Sequence, residues 1–164
     1  NRFLMNSKKI KYYSWVTIGS AFLMTELTAS YLKPQIEKIN IINLTRSKLY
    51  NRYLEQLNKI SKNNFFIPKN LNSKYNFHSF VLILEKDVRE KFLKFLKKFK
   101  INAVISYTPL HKSNAGKKFF GKKKNKLINT DLYIKRVVRL PFHNSLSYNQ
   151  IDYICKKIKV FFKR

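Results

Sequence analysis

The side chains best suited to chemistry lie near the middle of the chain, where Tyr107 and His111 flank Pro109. A phenol and an imidazole can both hydrogen-bond a polar ligand, and the proline restricts the backbone between them. The other two histidines, His78 and His143, are distant in sequence. An isolated histidine is more often packed or solvated than catalytic. Two interpretations therefore stay open: a ligand-facing loop, and a proline-shaped turn whose polar side chains meet solvent.

A second candidate site is the turn Gly19-Ser20-Ala21, which precedes the first predicted helix. Unpaired backbone N–H groups and the helix dipole favour an anion at such a position. A plain turn followed by a helix cap explains the same residues equally well.

Several catalytic and metal-binding patterns are absent from the sequence. The 8 acidic residues are scattered along the chain, and no Cys/His spacing suits zinc. Neither a phosphate-binding P-loop nor a G-x-S-x-G nucleophile turn occurs. We therefore assign no catalytic and no metal-ligating residue. The single Cys155 excludes an internal disulfide and is typical of a reducing compartment, which predicts a cytoplasmic location. We expect no signal peptide and, because no apolar stretch here is long enough to span a bilayer, no membrane partner.

The net charge of +27 suggests a nucleic-acid partner, because clustered cations release counterions from phosphates. Of the 35 basic residues, however, 28 are Lys and only 7 are Arg, the residue that base reading favours. Lys, Asn, Ile, Phe and Tyr are all heavily used and share AT-rich codons. Mutational drift in an AT-rich genome explains the heavy use of all five residue types, and we prefer this explanation to a nucleic-acid function. Nonspecific nucleic-acid binding and a lysine-rich nucleic-acid-binding domain remain alternatives.

The element pattern predicts an α/β fold with a long helix followed by a short, about three-stranded sheet covered by helices. The long helix starts at a Thr25 cap and meets Pro34, where we expect a kink or break. Residues 61–76 and 108–129 are predicted loops, the second long and basic. The predicted strands are 77–84, 102–107 and 138–142; the predicted helices are 25–60, 87–99, 130–137 and, after a Ser147 cap, 148–162.

Several motifs in order resemble the C-terminal part of the DegT/StrS-type aminotransferases. The first is the segment Ile18–Ala29, which reads IGSAFLMTELTA. Tyr107–His111 fits a family pattern H-Y-x-P-L-H, in which Ala-Gly and Phe-Gly follow, here as Ala115-Gly116 and Phe120-Gly121. Arg139–Phe142 matches a later R-L-P strand. The resemblance covers essentially the whole chain.

Three positions depart from the family pattern. Phe22 lacks the hydroxyl of the usual Tyr. Ser106 stands where the pattern has its first His. Ala21 stands where a family Asn reaches the cofactor phosphate of the other subunit, and alanine offers no side-chain hydrogen bond. Ser20 and the backbone are then the remaining cofactor-phosphate donors.

The resemblance implies the small C-terminal domain of a fold-type I enzyme. Such homodimers use pyridoxal phosphate to move an amino group from glutamate to C4 of a dTDP-linked keto-deoxy sugar. Tyr107 and His111 would face the sugar nucleotide. By this resemblance residues 1–24 form an arm from the large domain, 25–60 a linking helix and 61–164 the small α/β domain.

The resemblance also implies what this chain lacks. The Schiff-base lysine, the Asp on the pyridine nitrogen and the aromatic residue stacked on the ring belong to the family's large domain, and no lysine here stands in the matching motif. We therefore expect neither cofactor binding nor amino transfer from the chain alone. An alternative is a partner subunit that complements a separately encoded large domain.

Overall fold

A computed structural model describes residues 24–68, 75–119 and 127–163. The chain separates into two compact units. The larger comprises Met24–Ile105 and Arg136–Arg164, and the smaller comprises Asn1–Leu23 and Ser106–Lys135. The predicted arm, with its Gly19–Ala21 turn, lies outside the described residues except for Met24. Among the residues described, no helix is both long and apolar enough to cross a bilayer.

Two consecutive helices occupy the segment predicted as one. Helix α1 spans Glu26–Glu37 and helix α2 spans Ile39–Ser61. The interruption falls at Lys38, whose backbone angles (φ −96°, ψ 12°) leave the helical range, and not at Pro34, which lies inside α1. The Lys38 N–H still bonds to the Pro34 carbonyl at 3.3 Å. The two helices are therefore joined without a loop.

The N-terminal cap of α1 is confirmed, since the Thr25 hydroxyl accepts from the Thr28 N–H at 3.2 Å. Helix α2 buries apolar residues only from Leu49 onward. Ile39, its first residue, is 45% exposed. The buried positions recur every four residues and face the core: Leu49, Tyr53 and Leu57.

The sheet has four antiparallel strands: β1 (Phe65–Phe66), β2 (Phe80–Leu84), β3 (Val104–Ile105) and β4 (Val137–Leu140). Their order in the sheet is β1-β2-β4-β3. Because β4 lies between β2 and β3, the strand–helix–strand unit predicted from the sequence is split by a later strand. The α/β fold with helices over the sheet is confirmed.

Several strand boundaries differ from the prediction, and the strand predicted at 102–107 is confined to Val104–Ile105. β1 lies in the segment 61–76, predicted as a loop, where Phe65 is 2% exposed and pairs with the end of β2. The strand predicted at 77–84 starts only at Phe80, because Phe77 has a left-handed backbone (φ 49°) that a strand does not admit. β4 ends at Leu140 and not at residue 142 as predicted, because the next residue, Pro141, has no N–H to donate.

One face of the sheet packs against helices. Helix α3 spans Arg89–Lys98 and helix α6 spans Tyr148–Phe162. Alternate residues of β2 are buried, as the period of a strand requires. Helices α2, α3 and α6 bury their apolar faces in the same core as these strand residues. The fully buried side chains from α3, α6 and the strands are Phe65, Phe80, Leu82, Leu84, Phe92, Leu96, Val138, Ile151, Cys155 and Ile158.

The smaller unit contains more helix than predicted. The expected loop at 108–129 holds a 3₁₀ turn at Leu110–Lys112, helix α4 (Asn114–Phe119) and the start of helix α5 (Ile128–Ile134). The helix predicted at 130–137 therefore begins and ends earlier, because Val137 belongs to β4. Residues 120–126 of the predicted loop are outside the described part.

Candidate functional site

A tight turn in the smaller unit holds His111. The Pro109 carbonyl accepts from the N–H groups of Lys112 (3.0 Å) and Ser113 (3.1 Å). Pro109 pre-sets its own φ at −56°, close to the value its ring imposes. The turn therefore fixes the backbone of His111 by local hydrogen bonds.

Ser113 and Gly116 connect this turn to helix α4. The Ser113 side chain donates to the Leu110 carbonyl at 2.7 Å and accepts from the Gly116 N–H at 2.9 Å. Ser113 is 1% exposed, so its hydroxyl is buried with both roles satisfied. A Cβ on Gly116 would lie 1.8 Å from the Leu110 carbonyl oxygen. Only glycine allows this close approach. Steric exclusion of any side chain therefore explains why glycine follows Ala115.

Asp131, on the first turn of α5, joins that helix to the turn. Its Oδ1 atom accepts from His111 Nε2 at 2.9 Å and from Lys112 Nζ at 2.7 Å. The side chains of His111 and Asp131 are 27% and 36% exposed. One carboxylate oxygen thus holds two neighbouring side chains of the turn.

The Asp131 carboxyl is stabilised in its charged form. The hydrogen bond from Lys112 lowers the pKa of Asp131 most, partial desolvation opposes it, and the hydrogen bond from His111 lowers it further. Asp131 is therefore an ionised acceptor near neutral pH. Because an ionised carboxylate has no proton to give, the ring nitrogen facing it must carry a hydrogen.

The structure places the predicted site residues as follows. Tyr107 and His111 belong to the same segment of the smaller unit, and the Tyr107 side chain is 57% exposed. Ser20 lies outside the described residues. His78 and His143 are exposed and belong to the larger unit. Across residues 24–68, 75–119 and 127–163, no group of three or more His, Cys, Asp or Glu side chains is placed to hold a metal ion.

Sequence reasoning missed Asp131, Lys112 and Ser113. Asp131 is 20 positions from His111, so no local pattern links the two. The sequence offered one indication: Asp131 is an acidic residue in a chain that has only 8 of them against 35 basic ones. The Ser113 role follows from burial, which a short motif does not reveal.

The lysines of the described residues do not fit the Schiff-base role of pyridoxal phosphate. That role needs a shielded amine, and in this part of the chain every lysine but two is exposed. Of the two half-buried ones, Lys157 lies with its Nζ 4.0 Å from the Phe99 ring centroid, and Lys159 donates to Gln56 at 3.1 Å. Both amines therefore already have contacts within the fold.

Comparison with solved structures identifies the same fold in known enzymes. The aminotransferase TlmJ from Streptoalloteichus hindustanus superposes with a TM-score of 0.75 at 16% identity, covering 88% of this chain and 38% of TlmJ. DesV of S. venezuelae, solved in complex with a ketimine intermediate, gives a TM-score of 0.77 at 22% identity, covering 99% of this chain and 43% of DesV.

Comparison by sequence agrees. An uncharacterised protein of Methanocaldococcus jannaschii is 27% identical over 155 residues, which is 90% of this chain and 39% of that protein. The chain thus spans about two fifths of the length of the relatives it matches. The model of the DegT/DnrJ/EryC1/StrS aminotransferase family matches residues 3–159. The chain belongs to the DegT/DnrJ/EryC1/StrS aminotransferase family.

Proposed function

We propose that this chain is the small C-terminal domain of a sugar-nucleotide aminotransferase and that it contributes the sugar-facing loop of the active site. The observation that carries the proposal is the family match over residues 3–159, within which the turn at His111 is tightly built. Pyridoxal phosphate and glutamate would serve the complete enzyme, which we expect to be a cytoplasmic homodimer.

The substrate we propose is a dTDP-linked keto-deoxy sugar aminated at C4. The segment Ile18–Ala29 supports this choice, because its sequence is similar to that of dTDP-4-amino-4,6-dideoxygalactose transaminase, an enzyme of surface-polysaccharide synthesis. In this scheme Tyr107 and His111 face the sugar nucleotide, and Ser20 donates to the cofactor phosphate. The exposed Tyr107 ring and the anchored His111 ring suit a loop that meets a ligand.

The domain division that fits this function has an arm at 1–24, a linking segment at 25–60 and the small domain at 61–164. Helix α1 supports a packing role for the linking segment, since it contains no buried residue. Large apolar side chains just before α1, on α1 and on early α2 are exposed in the described larger unit: Met24, Leu27, Tyr31, Leu32, Ile36, Ile39, Ile41 and Leu44. We propose that this surface, termed the α1 surface, packs against an aminotransferase large domain.

The chain alone is expected to be inactive, and purified protein tests this directly. Mixed with pyridoxal phosphate, it should give no visible absorption band of a lysine-bound cofactor and no amino transfer from glutamate. A stoichiometric band that disappears on substitution of one lysine contradicts this proposal. The same assay after addition of a family large domain tests whether the chain restores activity.

Complementation through the α1 surface has its own test. Leu27 and Tyr31 are 82% and 77% exposed, so Leu27→Glu with Tyr31→Glu should leave the fold intact. The pair should abolish co-elution with a family large domain in size-exclusion chromatography. Lys62→Glu, at another exposed position, is the matched control and should co-elute normally. Co-elution of the double variant at wild-type strength contradicts the assignment of this surface.

Charge supports a second candidate, a nucleic-acid-binding domain. Lys91, Lys94 and Lys98 lie on one face of α3 and are exposed. Binding that depends steeply on salt and falls selectively when this face is changed to Gln favours that function. Binding that falls equally when three exposed lysines elsewhere are changed reflects net charge alone.

A further inference from the structure

His111 has two ring nitrogens, and the structure distinguishes them. Nε2 lies 2.9 Å from Asp131 Oδ1, whereas no partner is found for Nδ1 within the described ranges. The ring is 27% exposed, so a ligand can reach it. Nε2 therefore anchors the ring to Asp131, and Nδ1 is available to bind a ligand.

The carboxylate decides which nitrogen carries the proton of a neutral ring. An ionised carboxylate only accepts, so Nε2 is the donor and Nδ1 keeps its lone pair. Fixing a histidine tautomer through a hydrogen bond at the other nitrogen is a general device in protein sites. The contact with Asp131 thus leaves Nδ1 as the hydrogen-bond acceptor of the ring.

Lys112 reduces the electrostatic effect of the Asp131 charge on the His111 ring. Its ammonium donates to the same Oδ1 atom at 2.7 Å, so the negative charge of Asp131 is already balanced. The carboxylate then acts on His111 chiefly as an oriented acceptor, and not as an unpaired counter-charge. An amide oxygen in the same place would supply the same contact.

We propose that Asp131 is a positioning residue that holds His111 with Nδ1 presented to a hydroxyl group of the sugar nucleotide. The ligand class rests on the proposed function, whereas the positioning rests on the geometry of the turn and α5. The rigid turn below His111 supports the assignment, because the Ser113 hydroxyl and Gly116 fix the backbone that carries the ring. A positioned acceptor of this kind favours a donor hydroxyl over a phosphate oxygen.

Long-range proton–nitrogen correlation spectra of the chain test the positioning. His111→Gln identifies the His111 signals among the three histidines. The wild type should show a pyrrole-type Nε2 and an observable Nε2–H proton protected from exchange with water. Asp131→Ala should lose that protected proton, while Asp131→Asn, which keeps the acceptor oxygen, should retain it. Asp87→Ala, an exposed aspartate of the other unit, is the control and should change nothing.

Two results would overturn the positioning: a wild-type Nδ1–H pattern, or a protected Nε2–H proton that survives in Asp131→Ala. Addition of dTDP-glucose then probes the ligand. The His111 Nδ1 signal should shift while those of His78 and His143 stay in place. If the Asp131 dependence holds but the sugar nucleotide moves no His111 signal, the substrate role in the proposed function is wrong and the positioning by Asp131 stands.

Discussion

Substitutions at Tyr53 can separate the contribution of one hydrogen bond to the free energy of unfolding from the contribution of ring packing. The Tyr53 ring is fully buried and stacks on Phe80 with centroids 4.6 Å apart. Its hydroxyl donates to the Pro141 carbonyl at 2.9 Å, linking α2 to the end of β4. Burial raises the pKa of Tyr53, so the hydroxyl stays a neutral donor at ordinary pH.

Tyr53→Phe removes the hydroxyl and keeps the ring, so the free energy of unfolding should fall by about 1 kcal/mol. Tyr53→Ala also empties the ring's site and should cost about 3–5 kcal/mol. With a urea slope of about 2 kcal/mol per M, these losses lower the unfolding midpoint by about 0.5 M and about 2 M. Circular dichroism during urea titration measures both shifts.

Tyr31→Phe is the matched control, because Tyr31 is 77% exposed on α1 and should unfold at the wild-type midpoint. A Tyr53→Phe midpoint equal to that of the wild type would refute the hydrogen-bond argument. A Tyr53→Ala loss no larger than the phenylalanine loss would refute the packing argument, since it would mean that the ring contributes nothing.

Three further predictions concern other sites. Gly116→Ala should break the turn, because its Cβ would lie 1.8 Å from the Leu110 carbonyl oxygen; the protected His111 proton should vanish, and its persistence contradicts the clash. Burial raises the pKa of Cys155 to about 12, so iodoacetamide should alkylate the thiol quickly only after unfolding in urea; fast labelling of the native chain argues against this burial. The pKa of Asp131 is lowered chiefly by Lys112, so its contribution to stability is complete above the ordinary aspartate pKa of about 3.9 and is lost as the pH falls through the lowered value. Acid thermal melts should therefore show a smaller pH dependence in Asp131→Ala, and identical slopes contradict the ion pair.

The features that the sequence predicted well depend on local patterns. Helix α6 is an example: Ser147 and Gln150 form a capping box, and Ile151, Ile154 and Ile158 repeat at helical spacing and are buried. All the information for its start and its buried face lies within one short segment. The same holds for the Thr25 cap of α1.

The features that the sequence did not predict depend on distant residues. Nothing near Phe65 indicates a strand, because its pairing partner lies at the end of β2. Asp131 joins the site through a turn 20 positions away. The helix break at Lys38 also escaped prediction, since the proline indicated a weak point in the helix but not its position. Single-sequence patterns do not contain such pairings.

The central place of β4 in the sheet sets an order of events during synthesis. β2 and β3 leave the ribosome first, yet neither neighbours the other, and both wait for Val137–Leu140. The ion pair of Arg52 with Asp152 then closes across 100 positions of chain. Until that moment the nascent chain displays apolar strand edges together with bare apolar helix faces, a state open to chaperones and to aggregation. Slow elongation between the codons for β2 and those for α6 would lengthen the time spent in this state.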